Sequence, residues 1–446
     1  MHAMGFHAPH ATDTLPGHRP VARRYAWTIF AILISLMVVD YIDRQVVVSM
    51  FSHLKDEWDL SDRQLGTLVS VVSITVALGA VPLSLLADRW SRVKSIFLMA
   101  LVWSLATIAC AFAASYHQLL AARSVVGLGE AAYGTVGVAL LATLFPPRMR
   151  STVLGAFLAA GMLGSVLGVV LGGVIAERWG WQAGFGAVGV PGLILAVLFL
   201  LVARDYRTVA LPGREASGSA PGLAFTAVAA ELLRPRTTLI ACVGAGLQLL
   251  AASTIYAWLP SYLHRSYGLA PDHAGLKAGL VVLAGSLGAV IWSVVADRLA
   301  VRQPRARLMV PATVALLTTL LLSPALLLLA PGPAQFALLV AGGLVMAGTV
   351  GPIAAVVVDV THPGLRATAS AVLALTQNLI GLAGGPLLTG VLSDRYGLQT
   401  AMGIAPLFCL GAAALFLLAS RTYPADLKHA ARTAPVPTLA LEPQTA

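Results

Sequence analysis

Twelve runs of about 20 or more mostly apolar residues follow one another along this chain, separated by short polar breaks. They fall at 25–50, 64–87, 95–115, 118–145, 152–176, 184–203, 237–262, 277–296, 308–330, 335–359, 367–391 and 400–420. Each run is long enough to cross a bilayer core of roughly 30 Å as a helix. The runs are continuous rather than alternating, which excludes the strands of a membrane barrel. The longest polar interruption, Arg204 to Pro235, holds Pro212, Gly213, Ser217, Gly218, Ser219, Pro221 and Gly222 and reads as a flexible connector. The pattern predicts an all-α integral membrane protein. Its parts are a disordered tail (1–24), a six-helix bundle (25–203), a connector (204–236), a second six-helix bundle (237–420) and a C-terminal tail (421–446).

The two bundles are related copies. Gly173-Val-Ile-Ala-Glu177-Arg178-Trp179-Gly180-Trp-Gln182 recurs as Gly390-Val-Leu-Ser-Asp394-Arg395-Tyr396-Gly397-Leu-Gln399, and Ala87-Asp88-Arg89 recurs as Ala296-Asp297-Arg298. Two independent echoes at nearly one spacing indicate duplication of a unit of about 210 residues. Parallel six-helix halves predict a transporter with its substrate site between them near the bilayer midplane. Glycines crowd the fifth segment (Gly155, Gly161, Gly164, Gly168, Gly172, Gly173) and the eleventh (Gly381, Gly384, Gly385, Gly390), where small residues let helix backbones approach closely in lipid.

Composition agrees. Apolar residues make up 58% and charged residues 11%, against about 45–50% and about 25% in soluble domains. The net charge of +10 is distributed by side rather than gathered on one patch. With the sides alternated along twelve spans, 21 of 29 basic residues fall with the two termini and the connector, and only Lys55, Arg63, Arg178, Arg265, Lys277 and Arg395 fall opposite. This bias predicts cytosolic termini in an inner or plasma membrane and argues against a nucleic-acid partner. Cys110, Cys242 and Cys409 fall inside apolar segments and read as small core residues. The leading 22 residues lack the order of a cleaved signal, so the first helix is expected to be retained. The histidines read as tail or loop residues, and there is no phosphate-binding glycine loop and no zinc-spaced Cys/His set. No enzymatic activity, metal or cofactor is expected beyond a proton gradient. The bilayer, protons and a small-molecule or lipid substrate are the expected partners of a monomer.

Charges inside the spans are the sharpest signal, because an ionisable residue there costs about 2.5–3.5 kcal/mol even on a lenient insertion scale. The first segment carries Asp40, Asp43 and Arg44, which share a face by their spacing, and the fourth carries Arg123 and Glu130, two turns apart. Two carboxylates near two guanidiniums can exchange a proton for an ion pair as a central site opens to either side. A permanent salt-bridge cluster is the alternative for the same five residues, but it gives no reason to keep three acids against two bases. The second half has no such set. Its candidate cavity residues are Gln248, Tyr256, Trp258, Gln377 and Asn378, joined from the first half by Tyr41 and Tyr133. Each polar one also fits a plain helix–helix hydrogen bond. At the terminal face, Asp88, Arg89 and Arg92 with Asp297 and Arg298 form a candidate gate, and Asp359 near Arg366 a further gate or anchor.

Ser84-Leu-Leu-Ala-Asp88-Arg89-Trp-Ser-Arg92-Val-Lys94 resembles the loop signature Gly-x-Leu-Ala-Asp-Arg-x-Gly-Arg-Lys of the major facilitator superfamily, with both glycines replaced by serines. Asp40-Tyr41-Ile-Asp43-Arg44-Gln45, Arg123-Ser-Val-Val-Gly127-Leu-Gly129-Glu130-Ala131-Ala-Tyr133-Gly-Thr135 and the stretch from Phe157 to Gly168 resemble the Spinster-like branch of that superfamily over most of residues 25–420. The resemblance implies the major facilitator fold and proton-linked transport of an amphiphilic lipid-like or small organic anion. It assigns Asp43–Arg44 and Arg123–Glu130 to coupling. Asp40 stands where the family commonly has an amide, which adds a titratable group. The first-segment pattern also resembles the anion:cation symporters, which implies a carboxylate or sugar-acid importer as the alternative. A non-transporting receptor or scaffold is the reading from another class, and the insertion cost of the charged cluster weighs against it.

Overall fold

The computed structural model describes residues 23–204, 235–361 and 366–433, apart from a few side chains near helix ends. In the first half these form α1 (Arg23–Ser49), α2 (Phe51–Trp58), α3 (Asp62–Arg89), α4 (Arg92–Ala111), α5 (Tyr116–Glu130), α6 (Tyr133–Leu144), α7 (Pro147–Trp179) and α8 (Trp181–Val202). The second half holds α9 (Arg236–Tyr267), α10 (Pro271–Arg302), α11 (Ala306–Leu328), α12 (Pro333–Met346) and α13 (Val350–Asp359). It continues with α14 (Arg366–Thr376), a π-helical segment (Gln377–Ala383), α15 (Gly384–Tyr396), α16 (Leu398–Ile404) and α17 (Phe408–Thr433). Together they give twelve spans long and apolar enough to cross a membrane, six in each half. An even number of crossings puts Arg23 and Thr433 at one face, here termed the terminal face.

Several spans are interrupted where the sequence pattern predicts one helix. The fourth breaks between α5 and α6, immediately after Glu130, and the tenth breaks between α12 and α13. The two breaks lie one repeat apart. Each carries tighter bonds, Ala131 N–H to the Leu128 carbonyl and Gly348 N–H to the Val345 carbonyl. The eleventh span widens into its π segment at Gln377 and Asn378, a local irregularity common at functional sites. The helix α2, in the turn after the first span, was not predicted. The C-terminal boundary also moves. The last span runs to Thr433 rather than ending at 420, because Tyr423 and Ala430 are buried and extend its packed face.

The position of α1 is set by α7. A Cβ at Gly164 would meet the Val38 carbonyl and Tyr41, and one at Gly168 would meet the Ile42 carbonyl. Without side chains at these two places the backbones touch, and the face of α1 bearing Asp40, Asp43 and Arg44 is aimed at α5. The half-to-half contacts are of the same kind. Gly66 of α3 lies against Pro386, and Gly275 of α10 lies against Val169.

Candidate functional site

Spacing along α1 places Asp40, Asp43 and Arg44 on one side, and α5 presents Arg123 and Glu130 to them. The pairing crosses between the helices instead of running along either one. Arg123 Nη1 meets Asp43 Oδ2 at 3.1 Å, and Thr107 of α4 donates to Asp43 Oδ1 at 3.1 Å. Arg123 and Asp43 side chains are 1% and 0% exposed. Two turns along α5, Arg44 Nη2 lies 3.0 Å from Glu130 Oε2, while its Nε lies 3.6 Å from Asp40 Oδ2. The guanidinium beside Glu130 is therefore Arg44, not its own helix's Arg123. Asp40 and Glu130 are buried, but Arg44 is 22% exposed and turns toward open space.

That space is a cavity of about 130 Å³ between the halves. Tyr41, Arg44, Gln45, Ser73 and Arg123 line it from the first half, and Ser253 and Tyr256 line it from the second. The acids stand behind the arginines, so the wall presents cations, and the guanidinium of Arg44 lies 5.4 Å from the centre of the Tyr41 ring. The remaining lining is apolar, including Val69, Val72, Leu382 and Pro386.

Not every predicted cavity residue reaches this wall. Tyr41 and Tyr256 do. Tyr133 is buried against Trp103 and Phe157 and donates to the Leu33 carbonyl at 2.7 Å. Gln248 bonds Thr318 and the Met346 carbonyl, tying three spans of the second half. Trp258 packs on Phe51 and donates to the Pro386 carbonyl. These three are helix-to-helix contacts, which satisfy polar atoms that lipid cannot. Gln377 and Asn378 occupy the π segment, and Asn378 bonds back to the Ala374 carbonyl, so neither belongs to the wall. The histidines are a correction too, since His264 lies within α9 and bonds the Leu269 carbonyl.

At the terminal face Asp359 is paired with Arg307 rather than with Arg366. Tyr423 donates to the same carboxylate at 2.9 Å, and Asp297 stands 3.5 Å from Arg307. Arg298 and Arg366 are exposed, and Arg92 begins α4 just after its Ser91 cap. The side chains of Asp88 and Arg89 lie outside the described residues.

The opposite face carries a cluster that the sequence reading did not single out. Asp62, at the start of α3, accepts from Arg265 at 2.9 and 2.8 Å, from Lys55 at 2.6 Å and from Ser393. Asp394 accepts from the backbone N–H groups of Asp62 and Arg63 at 2.8 and 3.1 Å. A helix start leaves such donors unpaired and favours negative charge beside them. The second half thus caps a helix of the first. Among the described residues, the hydrogen bonds and ion pairs joining the halves gather on Asp62, Arg63 and Ser70. A signal for this cluster was present, since Asp394 sits in the duplicated motif and Ser61 with Gln64 forms a capping box.

Comparison with known proteins fits this architecture. The model of the Major Facilitator Superfamily matches residues 33–386. Protein spinster of Drosophila melanogaster is 26% identical over 392 residues, 85% of this chain and 64% of that protein, so this chain spans just under two thirds of its length. An MFS-type efflux pump of Mycolicibacterium smegmatis is 29% identical over 436 residues, 94% of this chain and 98% of the pump. A gallate transporter of Pseudomonas putida is 28% identical over 305 residues, 63% of this chain and 68% of the transporter. The crystal structure of a bacterial homolog to the human lysosomal transporter Spinster, inward-facing and unoccupied, matches with a TM-score of 0.81 at 22% identity. The match covers 91% of this chain and 99% of that one, and shows a common fold. Twelve apolar helices, two duplicated bundles and these relatives describe a multi-pass membrane transporter, not an enzyme, similar to spinster proteins, and the chain belongs to the Major Facilitator Superfamily.

Proposed function

We propose that the protein is a proton-coupled secondary transporter of an organic anion, working by alternating access. The observation that carries this reading is the placement of Arg44, which is shared between the carboxylates of Asp40 and Glu130 and open to the cavity. Protonation of Glu130 removes that carboxylate's charge and leaves Arg44 available to a substrate anion. Proton and anion then bind together, which is the requirement for cotransport. Arg123, already held by Asp43, adds positive potential to the same wall.

The cavity volume bears on the substrate. About 130 Å³ is close to the engineered cavity of about 150 Å³ that takes up one benzene ring. A small acid with an apolar or aromatic body fits this shape, its charge on Arg44 and its body against Val69, Val72 and Leu382. The similarity to a gallate transporter supports that choice. The similarity to spinster proteins supports a second reading, an amphiphilic lipid-like anion. Its tail needs more room than this cavity has, and separation of the halves has to supply it.

The excess of basic residues on the terminal face supports cytosolic termini in the cell membrane. The cluster on Asp62 then closes the external side.

The Glu130→Gln variant imitates the protonated acid. It is expected to keep ligand binding, read as a thermal shift with small organic acids, and to keep exchange of labelled ligand across proteoliposomes. It is expected to lose accumulation driven by a pH gradient. Full gradient-driven accumulation in that variant would remove Glu130 from the coupling step.

A further inference from the structure

The five charges buried between α1, α4 and α5 do not balance. Asp40, Asp43 and Glu130 face two guanidiniums, Arg44 and Arg123. Asp43 is fully provided for, with Arg123 on one oxygen and Thr107 on the other. The excess negative charge therefore lies on Asp40 and Glu130, which share the single cation Arg44. Both carboxyl groups reach that one guanidinium, Asp40 Oδ2 at 3.6 Å and Glu130 Oε2 at 3.0 Å, which brings them together across the α1–α5 contact. Oδ1 of Asp40 and Oε1 of Glu130 are buried and have no hydrogen-bond partner, and Oε2 of Glu130 meets only Arg44. Two ionised carboxylates gathered on one guanidinium repel each other, whereas one proton between them turns the repulsion into a hydrogen bond.

We infer that Asp40 and Glu130 bind one proton between them, as a two-carboxyl site with Arg44 as its common counter-ion. With that proton the cluster is neutral, which removes the cost of a net charge buried in the span. Asp40 is then part of the proton site, and its replacement by an amide would remove the sharing. The other groups facing the pair are Tyr41, Asp43 and Arg44 from α1, Arg123 from α5 and Tyr133 from α6. From α4, Cys110 lies beside Arg123 and Asp43. The helices α3 and α7 carry ionisable residues only near their ends, and α8 carries none. A metal cation is a poorer occupant than a proton, because Arg44 touches both acids and repels it.

The role of this site in transport rests on the coupling proposed above, but its existence is tested separately. Purified full-length protein in lipid bilayers is titrated while the infrared band of protonated carboxyl groups is followed. In the wild type one buried carboxyl is expected to titrate. Asp40→Asn and Glu130→Gln should each abolish that band, since either leaves one acid to one arginine. The double variant Asp43→Asn/Arg123→Gln, which keeps two acids on the one arginine Arg44, should retain it. Exchange of sodium for choline should leave the titration unmoved. Persistence of the band in Asp40→Asn or in Glu130→Gln would assign the proton to one acid alone and overturn sharing. So would a wild type with no such band, or a band that sodium displaces. A pH gradient that drives flux in a protein without the shared band sinks the site and leaves coupling standing. A shared band with flux indifferent to pH does the reverse.

Discussion

Replacing Arg123 with Gln is expected to destabilise the protein by roughly 3–5 kcal/mol, because it strands the Asp43 carboxylate in a site where only Thr107 remains to bond it. Asp43→Asn should cost a comparable amount by stranding the guanidinium. The double variant Asp43→Asn/Arg123→Gln should recover most of the loss, since two neutral amides can bond each other across the same gap. Apparent melting temperatures in detergent at one protein concentration check this. Strictly additive losses would show that the two side chains act independently and that no buried pair is broken.

Removing the Asp62 carboxylate is expected to loosen the face opposite the termini. In Asp62→Ala the contacts of Arg265, Lys55 and Ser393 all lose their acceptor, though the Asp394 cap on the backbone remains. Loss of about 2 kcal/mol from one charge-assisted contact moves a two-state ratio about thirty-fold. Asp62→Ala/Asp394→Ala should move it further by freeing the first two N–H groups of α3 from the second half, with the Ser61 cap left in place. Spin labels on Asp59 and Arg395, one in each half and both exposed, report the distance across this face. A longer distance in the variants and a short one in the wild type are expected. Unchanged distances in both variants would show that glycine-to-backbone packing alone, as at Gly66 on Pro386, closes that face.

Hydrophobic run length set the number of spans and the duplication set their grouping, because a membrane helix must satisfy its own backbone and leaves a long apolar signature. The charged residues of the first and fourth spans were legible for the same reason, as each is costly where it stands. Their pairing was not. Spacing along one helix joined Arg123 to Glu130, whereas the depth at which α1 crosses α5 pairs Arg123 with Asp43 and Arg44 with Glu130. That depth depends on Gly164 and Gly168, glycines on a third helix. Amphipathic residues were the least legible. Trp258, Tyr133 and Gln248 have the chemistry of a cavity wall, yet each faces another helix, and only rotation about the helix axis separates the two placements. The pair Asp359–Arg307 shows the same limit, since Arg366 is nearer in sequence, yet the preceding span supplies the guanidinium that reaches the carboxylate.

The central claim is that a proton and an organic anion cross together through the Arg44–Glu130 site. Its most direct test is a simultaneous record of ligand uptake and internal pH in proteoliposomes holding the wild-type protein, with a ligand identified by thermal shift and no pH gradient imposed. An inward anion gradient should acidify the lumen in step with uptake, and Glu130→Gln should take up ligand with no pH change. Ligand uptake by the wild type that leaves the internal pH still, or that makes the lumen alkaline, would contradict cotransport.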